Sequence, residues 1–269
     1  MHEIIGRQNE IAKIRTYIDE TRSVHIYGRE GVGKTAILEH IYDNWNELHK
    51  PLIPIFCRSS RTLREILLQI SLFLLNHFKR LQSTNKFREI KGIRYPSDIK
   101  KLSIRTLKNL VFSYISLGNF CIILDHLEYV TPKINSFLSV LYEKTLIITA
   151  SRQSWEITDY KFKGKLSYCL YLVPKLRVMN LPRMDAYLLM EYLYESLHMG
   201  IPDRSQFFKE IFNITNGNPK IIIEIFDKAC RPKYLKNQIC DLKLIQIDRE
   251  IEKVSIDDIL LSHVLERNK

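Results

Sequence analysis

The chain is predicted to be an α/β protein in which a five-stranded parallel sheet with flanking helices, over residues 1–182, precedes a small helical domain over 183–269. Three observations carry this expectation. Strand-like and helix-like segments alternate from Ser23 to about Ser151, two of the strand-like runs are apolar without a break, and the segment from Arg183 onward shows only helical patterns.

Ser23 to Tyr27 (SVHIY) is a short β-rich run that ends at Gly28, and Lys34 to Leu48 reads as a helix stopping near Pro51. A second strand, Leu52 to Cys57, leads into Leu63, Ile66, Leu67, Ile70 and Leu74, whose three-and-four spacing predicts an amphipathic helix. Residues from about Lys79 to Lys101 are polar and basic with few apolar anchors and read as a mobile insertion before a helix over Ser103 to Leu117. Phe120 to Leu124 (FCIIL) and Thr145 to Ala150 (TLIITA) have the unbroken apolar character of strands buried on both faces of a parallel sheet, with a helix over Lys133 to Tyr142 between them. Arg177 to Leu181 is the better candidate for the fifth strand, and Tyr168 to Val173 is a further strand-like run without an assigned place. Helices are expected over Asp185 to Leu197, Arg204 to Thr215 and Pro219 to Ala229. A last one, capped by Ser255 with Asp257 and Asp258 in its first turn, is expected to reach about Glu266.

The chain has 269 residues, 45% of them hydrophobic, enough for one large core or a core with a satellite. No apolar run reaches the roughly 20 residues of a membrane-spanning helix, and Met1 to Glu10 is unlike a signal peptide, so a cytoplasmic location is expected. Cys57, Cys121, Cys169, Cys230 and Cys240 are odd in number and show no CxxC spacing, which predicts free thiols. The formal net charge of +11 favours polyanionic partners, although the positive charge is dispersed over Lys79-Arg80, Lys86 to Lys101, Lys161 to Lys165 and Arg231 to Lys236.

The chemistry is concentrated in Gly28-Arg29-Glu30-Gly31-Val32-Gly33-Lys34-Thr35, followed by Ala36. This is the pattern G-x-x-x-x-G-K-[ST], placed between a strand and a helix, where main-chain N–H groups can surround phosphate oxygens at the positive end of the helix. Lys34 would supply a charge to the β- and γ-phosphates, and the Thr35 hydroxyl would ligate Mg²⁺. Asp125, at the end of the most apolar strand, is the natural second acid for that ion. For activating an attacking water, Glu128 and His126 are both within reach in sequence, and slow turnover is expected.

On these residues the chain resembles the AAA+ and STAND group of P-loop ATPases, in the branch of archaeal-type, origin-recognition and NB-ARC-like ATPases. Ile5-Gly6-Arg7-Gln8-Asn9-Glu10-Ile11 looks like the "GRexE" element of that group, which implies that Gly6 and Arg7 help enclose the adenine. Leu124-Asp125 looks like the Walker B strand without its usual second acid. Ile147 to Arg152 (IITASR) is similar to the sensor strand of STAND proteins, which implies that Arg152 reads the γ-phosphate. Thr215 to Pro219 (TNGNP) resembles a turn in the lid helices, which implies a contact of Pro219 with the base, and Val254 to Ile259 is similar to a last lid segment. The resemblance implies ATP or ADP with Mg²⁺ as ligands, a lid closing with nucleotide state, nucleotide-dependent self-association, and DNA or a protein as partner. It leaves two functions open: a slow ATPase switch, and a STAND-like scaffold that holds ATP tightly and hydrolyses little. Arg94, Arg105 and Arg183 are left unassigned.

Overall fold

In the computed structural model of the chain, the structure describes residues 4–45, 51–80, 96–155, 169–236 and 239–252. The described chain forms two compact units, Met1–Met179 and Asn180–Lys269.

The first unit is built on strands β1 (Val24–Tyr27), β2 (Ile53–Cys57), β3 (Phe120–Leu124), β4 (Leu146–Ser151) and β5 (Lys175–Arg177), all parallel in the order β2-β3-β4-β1-β5. Side chains alternate across a pleated strand, and here the alternation divides the core. Cys121, Ile123, Leu146, Ile148, Val24 and Ile26 face helices α1 (Gln8–Asp19) and α2 (Lys34–Asp43). Phe120, Ile122, Leu124, Ile147 and Ile55 face α3 (Leu63–Arg80), α5 (Ile104–Ile115) and α6 (Pro132–Tyr142). A one-turn helix, α4 (Pro96–Ile99), precedes α5. Strands β3 and β4 are buried at every position, as expected of strands covered on both faces.

The expected elements are displaced in two places. The fifth strand is Lys175–Arg177 and not Arg177 to Leu181, because it pairs only with His25 to Tyr27 of β1. One further bond follows, from the Val178 N–H to the Tyr27 carbonyl at 2.7 Å, and the chain then leaves the sheet. Tyr168 lies outside the described residues, and Cys169–Tyr171 is a 3₁₀ turn rather than a strand. The Asn135 side chain holds it by accepting from the Cys169 N–H at 3.0 Å, and Leu170 is buried while Leu172, two residues on, is exposed, a pattern that the period of two in a strand does not give. Helix α1 was not expected, although Ile11, Ile14 and Ile18 form its buried stripe. Of the segment read as a mobile insertion, residues 81–95 lie outside the described chain.

The second unit packs α7 (Arg183–Ser196), α8 (Arg204–Thr215), α9 (Pro219–Ala229) and an unanticipated α10 (residues 242–252) around Met190, Phe208, Ile211, Ile225, Phe226 and Ile245. A short antiparallel hairpin, β6 (Leu235–Lys236) with β7 (Ile239–Cys240), lies between α9 and α10. The turn from α8 to α9 has local causes. Asn216 adopts the left-handed conformation at φ 48°, Asn218 caps α9 through the Ile221 N–H, and Pro219 takes the first helical position. The helix expected from Ser255 lies outside the described residues.

All five cysteines are free thiols; Cys57 and Cys121 are buried, and burial pushes the Cys57 thiol up to about 12. Among the described residues no helix is long and apolar enough to cross a membrane.

Candidate functional site

The C-terminal edge of the sheet gathers the motif residues, because β1, β3 and β4 end in neighbouring register with Tyr27 opposite Ser151 and Leu124 opposite Thr149. Gly28, Asp125 and Arg152 therefore issue from one edge, where ligands of open parallel sheets bind.

The loop from Gly28 to Gly33 is shaped by its glycines and by one buried arginine. A Cβ at Gly28 would lie 2.2 Å from the Val178 carbonyl oxygen, so no other residue fits between β1 and the chain leaving β5. Gly33 adopts φ 96° at the N-cap of α2, in the left-handed region that disfavours side chains. Arg7, only 3% exposed, donates to the Val32 carbonyl at 2.6 Å, to the Met179 carbonyl at 2.8 Å and to Glu10 Oε1 at 2.8 Å. Its guanidinium thus fixes the loop from behind, and Gly6 turns the chain before it at φ 71°.

Helix α2 begins at Lys34 without any side-chain cap, as do α1 and α7, whereas Ser103, Thr131, Asp203 and Asn218 cap α5, α6, α8 and α9. The first N–H groups of a helix have no partner within it and carry partial positive charge. At α2 that end opens onto the loop of Arg29, Glu30 and Gly31, with Ala36 exposed in the first turn.

Lys34 Nζ reaches back across the loop to the carbonyls of Gly28 at 2.8 Å and Arg29 at 3.0 Å. Its pKa is lowered, first by burial and also by Arg152, while Glu128, Asp125 and Glu30 act in the opposite sense. The Thr35 hydroxyl donates to Asp125 Oδ2 at 2.7 Å, and the His126 N–H donates to Oδ1 at 2.8 Å. Asp125 is 1% exposed, so both bonds hold a buried carboxylate beside the start of α2. His126 itself stands at φ 56°, with Nε2 3.6 Å from Asp125 Oδ2.

Glu128 accepts from the main-chain N–H of Arg152 at 3.0 Å, and the Arg152 guanidinium lies 2.7 Å from Glu30 Oε2. Lys34, Thr35, Asp125, Glu128, Arg152 and Glu30 are therefore brought to one edge. Pro219 belongs to the second unit, at the start of α9.

One functional neighbour escaped sequence reasoning. His25, fully buried in β1, lies 2.7 Å from Thr149 Oγ1 and 2.8 Å from the Gln153 carbonyl oxygen. A carbonyl only accepts, so Nε2 carries the proton and Nδ1 accepts from the threonine hydroxyl. Burial lowers the imidazole pKa to about 4, with Lys175 and Lys34 adding to the effect and the Gln153 bond opposing it. With Ser151 Oγ donating to the same carbonyl at 2.8 Å, this neutral histidine braces the turn that presents Arg152. A polar residue inside an otherwise apolar strand was the available signal.

The glycine-shaped loop, the uncapped helix start and the lysine fit a polyphosphate, and the Thr35–Asp125 oxygen pair suits a hard divalent cation. Among the described residues no cluster of three or more His, Cys, Asp or Glu could hold a metal ion alone.

No protein-family model and no curated protein matches the sequence. Solved structures do. The Walker-type ATPase of Pyrococcus abyssi aligns with a TM-score of 0.63 at 16% identity, over 95% of this chain and 75% of that one. The replication initiator DnaA, bound to AMPPCP and single-stranded DNA, aligns with a TM-score of 0.52 at 12% identity, over 95% of this chain and 68% of that one. At these identities the likeness concerns the fold alone, an all-parallel five-stranded sheet with surrounding helices like that of the P-loop ATPase neighbours.

Proposed function

We propose that the first unit binds ATP with Mg²⁺ and hydrolyses it slowly, and that nucleotide state governs closure of the second unit as a lid and the surface offered to a partner. The observation that carries this reading is the Thr35 hydroxyl seated on the buried Asp125 carboxylate at 2.7 Å, beside Lys34 and at the mouth of the glycine loop. Thr35 donates its hydroxyl hydrogen bond to Asp125 and keeps its oxygen lone pairs for a cation, while Asp125 retains acceptor capacity for water bound to that cation. Main-chain N–H groups at the start of α2 and the Lys34 ammonium would hold the phosphates, and Arg152 would read the terminal one. When bound, Mg²⁺ neutralises phosphate charge and polarises the terminal phosphoryl group.

Slow turnover is supported by the occupation of Glu128, whose carboxylate already accepts from the Arg152 N–H, and by a histidine where a second acid would follow Asp125. The same observation favours the second reading, a scaffold that holds ATP and hydrolyses little. The partner we favour is nucleic acid, on the net charge of +11 and on the fold shared with a DNA-bound initiator. Affinity for it should fall steeply with salt.

The test is the Mg²⁺ dependence of ATP affinity in Asp125→Asn. Loss of an outer partner of a metal ligand costs about 10–100-fold in metal affinity, so the variant should lose most of the gain that Mg²⁺ gives to ATP binding while keeping metal-free binding. An unaltered Mg²⁺ gain would remove Asp125 from the site.

A further inference from the structure

One charge at the mouth of the loop is out of keeping with an anion site. Glu30, at the third position of the phosphate-loop motif, carries a carboxylate, which repels phosphate. Its Oε2 lies 2.7 Å from an Arg152 guanidinium nitrogen. From the other side Glu128 reaches the same residue, with Oε2 accepting the Arg152 N–H at 3.0 Å and Oε1 4.0 Å from Nε. A single guanidinium therefore stands between two carboxylates, one carried by the loop and one by the segment after β3. Lys34 interacts electrostatically with this whole group.

We propose that Glu30 is a specificity-determining residue of the nucleotide site: its carboxylate competes with the terminal phosphate for the Arg152 guanidinium and so limits the preference for a triphosphate over a diphosphate. The proposal rests on the loop being the nucleotide site argued above. A diphosphate is served by the helix start and Lys34. A triphosphate brings further oxygens that match the flat fork of an arginine in two places. To take them, Arg152 gives up its bond to Glu30, and the released carboxylate then lies beside a phosphate it repels. Arg152 is 59% exposed and Glu30 53%, so water screens the pair. Exposed pairs of this kind change an equilibrium by a factor of roughly two to five. Glu30 thus tempers the response to ATP and makes exchange of one nucleotide for the other easier than the bare loop would allow.

The test is calorimetric titration of ATP and of ADP, both with Mg²⁺, into the full chain as wild type, Glu30→Gln, Arg152→Gln and the double variant. Both side chains are more than half exposed, so all four proteins should share the wild-type circular dichroism. Glu30→Gln is expected to raise the ratio of ATP to ADP affinity about two- to five-fold. In the Arg152→Gln background the same change is expected to raise the ratio by clearly less, since only the repulsion between Glu30 and the phosphate is then removed. A ratio unmoved by Glu30→Gln overturns the proposal, as does an equal rise in both backgrounds, which would mean plain repulsion without Arg152; either result leaves the nucleotide site standing. A wild-type protein that binds neither nucleotide removes the site and this proposal together.

Discussion

Replacing Arg7 by Ala tests whether the loop from Gly28 to Gly33 is held from behind by a buried guanidinium. The side chain is 3% exposed and donates to the Val32 carbonyl at 2.6 Å, the Met179 carbonyl at 2.8 Å and Glu10 at 2.8 Å. Removing it strands two carbonyls and one carboxylate. Hydrogen bonds from charged groups contribute about 1.5–3 kcal/mol each, and breaking a buried ion pair from one side costs about 3–5 kcal/mol. These terms overlap, and Glu10 is part-exposed, so a net loss of about 3–5 kcal/mol is expected for Arg7→Ala. Arg7→Lys keeps the charge but not the fork, and about half of that loss is expected. The only two tryptophans, Trp45 and Trp155, are both buried in the first unit, so their fluorescence during urea unfolding reports on this unit alone. A loss under about 1 kcal/mol for Arg7→Ala would refute the bracing role and leave Arg7 as a ligand-contacting residue.

Gly28→Ala places a methyl group 2.2 Å from the Val178 carbonyl oxygen, so the β1–β5 edge or the loop must shift. A destabilisation of about 1–3 kcal/mol in the same unfolding assay is expected, together with weaker ATP binding; wild-type values for both would contradict the close approach. For His25 the folded pKa, about 4, lies below the ordinary 6.5. The unfolded chain therefore binds the extra proton between these values. Its contribution to stability is complete above pH 6.5 and is lost as pH falls towards 4, by about 3 kcal/mol in all. An NMR titration of the His25 ring that found a midpoint near 6.5 would show the imidazole to be solvated.

Much of this architecture was legible because its causes are local. FCIIL declares itself as a central strand by lacking any charged or hydroxyl-bearing position, LIITAS does so by its run of Leu and Ile before Thr149, and the loop declares itself by glycines beside a lysine and a threonine. The nearness of Thr35 to Asp125 could be anticipated because the Mg²⁺ reading of the motif asks for an oxygen donor from each. Strand β5 begins two residues ahead of the run Arg177 to Leu181 expected for it, since three residues of an edge strand follow β1 over a few bonds and carry no periodicity to fix their limits. Helices α1 and α10 carry short apolar stripes that the sequence shows, Ile11, Ile14 and Ile18 in the first and Leu242 and Ile245 in the second. The pairing of Glu30 with Arg152 and the burial of Arg7 depend on register between β1 and β4 and on where the chain leaves β5. No spacing along the sequence encodes either.

The most direct measurement is calorimetric titration of ATP with Mg²⁺ into the wild-type chain and into Lys34→Ala. Stoichiometric uptake by the wild type is expected, with affinity at least about tenfold lower in the variant, because a charge-assisted contact to phosphate is worth about 1.5–3 kcal/mol. Equal heats in the two proteins, or none in the wild type, would contradict the assignment of this loop to a polyphosphate.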